Sequence, residues 1–420
     1  VTHDIRYFEP FPVYVERAQG ARKWDVDGNE IIDFVMGHGA LLFGHAHPLL
    51  VKAVSEQIQR GTHYGASHKL EVEWARAIQA LLPTAEKVRF TSSGTEATML
   101  AVRLARAATG RSRLLKLRLH FHGWNDSVMT GARTSSGAVS AAGLPPAMTN
   151  ATTVIDQHDT AAMGAALDGA EYAAVICEPS GYGWGTGPLD PSVLEFLRER
   201  TAATGTLLIF DEVVTGFRLT EGGVQGLTGL RPDLTTLAKV LAGGMPGGAV
   251  VGRAELLDQI AFGHSDEKDR VAHPGTYNAN PLSAAAGIAA LREIETGEPI
   301  RIANERARRL SAGLNHAIRQ AEVPGAAYGQ ASLVHIVLGQ DVPPPQDDFT
   351  WSWGEAGPQA TVPATADAIR WGLRRSLLTH GVDLMGMGAI VSCVHSETDI
   401  DRSVDAFSAA LADLRRESIL

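Results

Sequence analysis

Between about residues 87 and 252 the chain alternates short apolar runs with segments of helical spacing, and this alternation limits the fold more than any other feature. KVRFTSS precedes GTEATMLAVRLARAAT, and YAAVICEPS precedes PSVLEFLRERTAATG; RLLKLRL, ATTVID, TLLIFDEVV, LTTLAKV and GAVVGR supply further strand-like runs. Apolar strands separated by amphipathic helices predict an α/β fold, with a mostly parallel sheet covered on both faces.

This pattern lies in an expected large domain, residues 48–290. HPLLVKAVSEQIQRG and LEVEWARAIQALLPT predict two helices at its start, each closed by Gly or Pro. Before it, VYVERAQGARKWDVDGNEIIDFV alternates apolar and polar residues around a DVDGN turn, which predicts an antiparallel hairpin. That N-terminal segment, 1–47, is expected to join a smaller α+β domain, 291–420. There NERARRLSAGLNHAIRQAE, ATADAIRWGLRRSLLTHG and DIDRSVDAFSAALADLRRE read as helices, and SLVHIVLG and AIVSCVH as strands. The Pro-rich stretch GQDVPPPQDDFTWSWGEAGPQATVP predicts an ordered excursion or lid.

A formal charge of −10 over 420 residues provides no basic field for nucleic acid or an anionic membrane. No apolar run approaches the roughly 20 residues that span a bilayer, and the opening VTHDIRYFEPFP is charged where a signal peptide is apolar. The chain begins with Val1 in place of Met, which leaves room for a preceding segment. Cys177 and Cys393 are far apart and without metal-ligand spacing, so neither a disulfide framework nor a zinc site is expected; a reducing cytoplasm is.

Three turns carry chemistry. TSSGTEAT (Thr91 to Thr98) lies between a strand and a helix, where first-turn N–H groups and the hydroxyls of Ser93 and Thr95 can cradle an anion. Alone it reads first as an N-cap, with Glu96 in the first turn. LLIFDEVVTGF ends a hydrophobic strand in Asp211 and Glu212, at the edge where open α/β sheets bind ligands, and a carboxylate there can pair with a protonated pyridine nitrogen. Lys239, in LTTLAKVLAGGMPGG, has apolar neighbours that disfavour its charge, as a Schiff-base amine requires.

SSGTEA, HFHGW, EPSGYGWG, FDEVVTGFR, LAKVLAGGMPGGAVVGR and GTYNANP follow one another as in the class III aminotransferases, which the chain resembles over nearly its whole length. Within that family it is most similar to the branch holding glutamate-1-semialdehyde 2,1-aminomutase and D-phenylglycine aminotransferase. The resemblance implies a pyridoxal-5′-phosphate (PLP) enzyme of fold type I, with a seven-stranded sheet and a small domain built from both termini. It implies that Ser93, Gly94 and Thr95 hold the cofactor phosphate, that Asp211 binds the ring nitrogen, and that Lys239 forms the Schiff base and carries the proton. Phe121, followed by His122 and Gly123, occupies the place of a ring-stacking tyrosine, so stacking is kept and the phenol hydroxyl lost. Val213 would cover the opposite ring face, and Glu178 would lie close by. Thr276 would reach the phosphate of a neighbouring subunit, implying a homodimer with shared sites.

For the substrate, the same resemblance places Arg6 on a carboxylate. His38 stands where the aminomutases carry a tryptophan. Met387 stands where they carry a glutamate and D-phenylglycine aminotransferase an arginine. The expected activity is transfer of the amino group of an apolar, aromatic or β-amino acid to a keto acid. A 2,1-aminomutase is the alternative, and an inactive PLP-binding relative a remote one.

Overall fold

The computed structural model describes residues 12–132, 142–263, 269–352 and 362–420. Two compact units divide the chain, one formed by residues up to Val51 with Thr296–Leu420, the other by Lys52–Glu295. Among the described residues no helix is long and apolar enough to cross a membrane.

The first unit opens with an antiparallel meander of β1 (Val15–Gln19), β2 (Arg22–Asp25) and β3 (Glu30–Asp33). The DVDGN turn closes as expected, with the Asp25 carboxylate accepting from the Asn29 N–H at 2.8 Å.

The second unit holds β4 (Lys87–Thr91), β5 (Arg113–Leu117), β6 (Thr152–Ile155), β7 (Tyr172–Cys177), the two-residue β8 (Gly187–Pro188), β9 (Leu207–Asp211), β10 (Leu234–Ala238) and β11 (Gly248–Gly252). Seven of these form one sheet in the order β4-β11-β10-β9-β7-β5-β6. All of its pairings are parallel except the two made by β11. The reversal follows from connection length: residues 239–247 are too few for a crossover helix, so the chain must turn straight back. Since β11 is antiparallel to both neighbours, β4 points the same way as the parallel strands. The carboxyl ends of β4, β5, β7, β9 and β10 therefore share one edge. Ser93 caps the helix Gly94–Thr109 by accepting from the Glu96 N–H, and Gly110 ends it at φ 67°.

The first unit is completed by the antiparallel β12 (Gly325–Gln330), β13 (Leu333–Leu338) and, after the two-residue β14 (Val382–Asp383), β15 (Gly388–Ile390). β14 pairs in parallel with β3. Neither β12 nor β14 is evident in the sequence, because GAAYGQ lacks branched residues and β14 is only a pair; of the expected strand AIVSCVH only Ala389 and Ile390 lie in the observed strand Gly388–Ile390. The Pro-rich stretch, as far as it is described, is an excursion fastened to its own unit. Asp348 O accepts from Ser311 Oγ at 2.8 Å, Phe349 O accepts from the Gly329 N–H at 2.6 Å, and Phe349 is buried beneath the Arg308 guanidinium.

In the larger unit the buried Trp74 connects the sheet edge to the turn after β10. It stacks on Phe90 with centroids 4.2 Å apart, and its Nε1–H donates to Leu241 O at 3.1 Å. Gly287 lacks a side chain because a Cβ there would stand 2.3 Å from Trp74 Nε1. Trp74→Ala should cost about 3–5 kcal/mol, read as a lower urea midpoint at unchanged m-value; an unchanged midpoint would show that Trp74 is not a support.

Candidate active site

The shared strand edge gathers the chemistry. After β9, Asp211 is buried and held by three donors: His122 Nδ1 lies 2.7 Å from Oδ2, while the Val213 N–H and Thr236 Oγ1 reach Oδ1 at 3.1 and 3.2 Å. Burial lowers the proton affinity of His122, which keeps the ring neutral and makes Nδ1–H the donor. His122 Nε2 is buried without a partner among the described residues. The loop after β5 brings His122 to this position because Thr98 Oγ1, on the helix Gly94–Thr109, donates to His122 O at 2.6 Å. The same helix packs closely elsewhere. A Cβ on Gly123 would lie 2.4 Å from Thr95 Oγ1, and one on Gly94 would lie 3.0 Å from both Val213 methyls.

Lys239 begins the turn after β10 in the left-handed region, at φ 54°, a conformation that a non-glycine residue keeps only where its surroundings hold it. Burial lowers its amine to about 8, with Asp211 and Glu178 pulling back toward the charged form. Glu178, after β7, is pushed up to about 7 by burial and accepts from the Phe121 and Trp184 N–H groups at 2.8 and 2.9 Å. The Phe121 side chain is 50% exposed.

Ser93, Gly94, Thr95, Phe121, His122, Glu178, Asp211 and Val213 thus lie on one connected set of contacts in the larger unit, and the Lys239 amine feels the charges of Asp211 and Glu178. Those contacts do not include Thr276, which is exposed and offers its carbonyl to His63 Nε2 at 2.6 Å. His38 and Met387 belong to the other unit. His38 is half-buried at φ 56°, and Met387 packs against that unit's core. Arg6 lies outside the described residues.

Three contributors went unnoticed in the sequence: Lys116, Thr236 and the anchoring of Asp211 by His122. Lys116 and Thr236 sit inside apolar strands, and a polar side chain in such a run is the signal that could have marked them.

Residues 6–347 match the model of the family described as aminotransferase class-III. The chain belongs to the class III aminotransferases. It is 37% identical over 420 residues to a glutamate-1-semialdehyde 2,1-aminomutase from Methanopyrus kandleri, covering 98% of this chain and 93% of that one. Among solved structures it resembles an omega-transaminase from Sphaerobacter thermophilus (TM-score 0.87, 33% identity, 99% of this chain and 94% of that one). It also resembles a transaminase with PLP bound (TM-score 0.88, 32% identity, 100% and 95%).

PLP is the cofactor of this family, and the residues present fit it. All of Asp211's hydrogen-bond donors are neutral, so its charge is available to a protonated ring nitrogen. Lys239 offers a readily deprotonated amine for the aldehyde, and the start of helix Gly94–Thr109, with N–H groups lacking intrahelical acceptors, suits the phosphate. Capture of PLP by the apoenzyme needs the neutral amine, so its rate should rise with pH about a midpoint near 8; a midpoint near that of an ordinary lysine would contradict the burial argument. Asp211→Asn should lower kcat/KM by roughly 10²–10³-fold, measured in steady-state turnover with the variant saturated in PLP.

Proposed function

We propose that the enzyme moves an amino group between two separate molecules, as a transaminase for an amino acid with an apolar or aromatic side chain, or for a β-amino acid. The observation behind amino-group chemistry is Lys239, whose proton affinity burial lowers, standing within the electrostatic reach of the buried Asp211 at the ends of adjacent strands. An intact lysine and carboxylate also speak against an inactive relative. The choice of substrate rests on Met387: an apolar side chain packed against apolar neighbours stands where the aminomutase resemblance would put a glutamate. Phe121 adds to it by lacking the phenol hydroxyl. The two similar structures named above are transaminases as well.

A second reading, 2,1-aminomutation, is favoured by curated relatives: glutamate-1-semialdehyde 2,1-aminomutases of Methanopyrus kandleri, Pyrobaculum aerophilum and Methylacidiphilum infernorum are 37%, 38% and 38% identical to this chain. Both readings use the same residues. Bound PLP supplies the electron sink for the carbon that loses its proton. Lys239 Nζ takes the proton from the substrate carbon bearing the amine and returns it elsewhere. Asp211 keeps the ring nitrogen protonated, and His122 and Thr236 keep Asp211 aimed. Phe121 and Val213 would bound the two ring faces.

We assign Arg6 and His38 to the substrate side and Thr276 to a neighbouring subunit's phosphate, which makes a homodimer the working form. Cys177 and Cys393 are the sequence's two cysteines and stand far apart along it, which suits a reducing compartment, and the cytoplasm is the location we propose.

The readings separate on one requirement. A panel of amino donors should turn over only with 2-oxoglutarate or pyruvate present; turnover of glutamate-1-semialdehyde without any keto acceptor would establish the mutase instead. Lys239→Ala should abolish turnover in either case, and retained activity would remove the lysine from the mechanism.

A further inference from the structure

The loop that carries Phe121 and His122 is fixed by two ionisable groups, one on β5 and one at the end of β7. Lys116 is the fourth residue of β5, and its side chain is completely buried. Its Nζ donates to His120 O at 2.9 Å and to Val128 O at 2.7 Å, so the amine, which burial lowers to about 7, holds both limbs of the loop that leaves the strand. From β7, Glu178 holds the loop's other polar groups. Its carboxylate accepts the Phe121 N–H at 2.8 Å, and its own N–H donates to His120 Nδ1 at 2.9 Å. That bond puts the His120 proton on Nε2, which faces Gln157 Oε1 at 3.0 Å.

Glu178 also binds a second loop. Gly183 and Trp184 stand at φ 58° and 53°, and their N–H groups turn toward the Glu178 carboxylate at 3.3 and 2.9 Å. Two successive left-handed residues form a concave array of N–H groups that suits an anion, and here the anion is the protein's own carboxylate. Removing the carboxyl group from such a network leaves several backbone groups unsatisfied at once.

We propose that Lys116 and Glu178 are positioning residues that clamp the His120–His122 loop between them, fixing Phe121 for the ring and His122 for Asp211. Glu178 then acts through backbone N–H groups and not as a direct ligand of the cofactor. Phe121 is held at its backbone, where its N–H donates to Glu178. The proposal rests on the stacking role given to Phe121, and the test separates the two.

The variants are Lys116→Met, Glu178→Gln and Phe121→Leu in the full-length enzyme, with each of the first two also combined with Phe121→Leu. Glutamine keeps the shape of Glu178 but places an NH₂ against one set of N–H donors, and it is the variant that carries the test if Lys116→Met does not fold. Hydrogen exchange of the peptide spanning residues 118–125 should speed up at least about tenfold in both clamp variants, while the core of helix Gly94–Thr109 stays protected. PLP affinity and the visible circular dichroism of bound PLP should fall in the clamp variants and in Phe121→Leu. The combined variants should then be no worse than Phe121→Leu by more than about twofold, because residues acting on one element are not additive. Unchanged exchange in Glu178→Gln would overturn the clamp, and so would losses in PLP affinity that add in full to a loss already shown by Phe121→Leu alone. Faster exchange with no effect of Phe121→Leu on PLP would leave the clamp standing and remove the stacking role.

Discussion

Asp211 is a carboxylate buried where the sheet ends, and much of the larger unit is arranged around keeping it charged and aimed. An ionised group without water must be compensated by hydrogen bonds or by charge. Here the bonds come from three places: the loop after β5 through His122, the next turn of backbone through Val213, and the neighbouring strand through Thr236. Register makes the last of these possible, because Thr236 stands directly opposite Asp211 in the β9–β10 pairing. Thr98, in turn, holds the carbonyl of His122. Moving any one of these elements would disturb the others.

Glu212, the next residue, shows how one strand end serves two purposes. Its side chain turns away to accept the Val224 N–H at 2.7 Å, Thr215 Oγ1 at 3.0 Å and Gln225 Nε2 at 3.0 Å, while burial raises its proton affinity. Alternation along a strand sends consecutive side chains to opposite sides, so of the two acids in FDEVV one supports the site and the other fastens the helix Gly223–Thr228.

Most of the larger sheet was legible, because strands buried on both faces read as apolar runs and their helices carry recognisable caps, such as Ser93 with Gly110 and Asp190 with Gly205. The turn residues Ser93 to Thr95, Asp211 and Lys239 were legible for a related reason: they are polar groups placed where strands stop. What escaped was cooperation between distant elements. Lys116 reads as one charge in RLLKLRL, and only the fold reveals two carbonyls waiting for it. Glu178 could be located but not explained, since its partners are backbone N–H groups that leave no trace in the sequence. β12 and β14 escaped because a Gly-rich strand and a two-residue strand exist only through their neighbours.

The first unit is assembled from both ends of the chain, and this has a consequence for synthesis. β3 needs β14 as its neighbour, and the buried Lys23 bridges Asp33 to Asp383, which follows the lysine by 360 residues. A ribosome releases the whole of the larger unit before it makes that partner. Until Asp383 emerges, the meander β1–β3 has an open edge and Lys23 lacks one of its two carboxylates. Contacts between such distant positions close slowly, so completion of the smaller unit is set by the last residues translated, and a ribosome that stalls before residue 382 leaves a finished cofactor-binding unit tethered to an incomplete one.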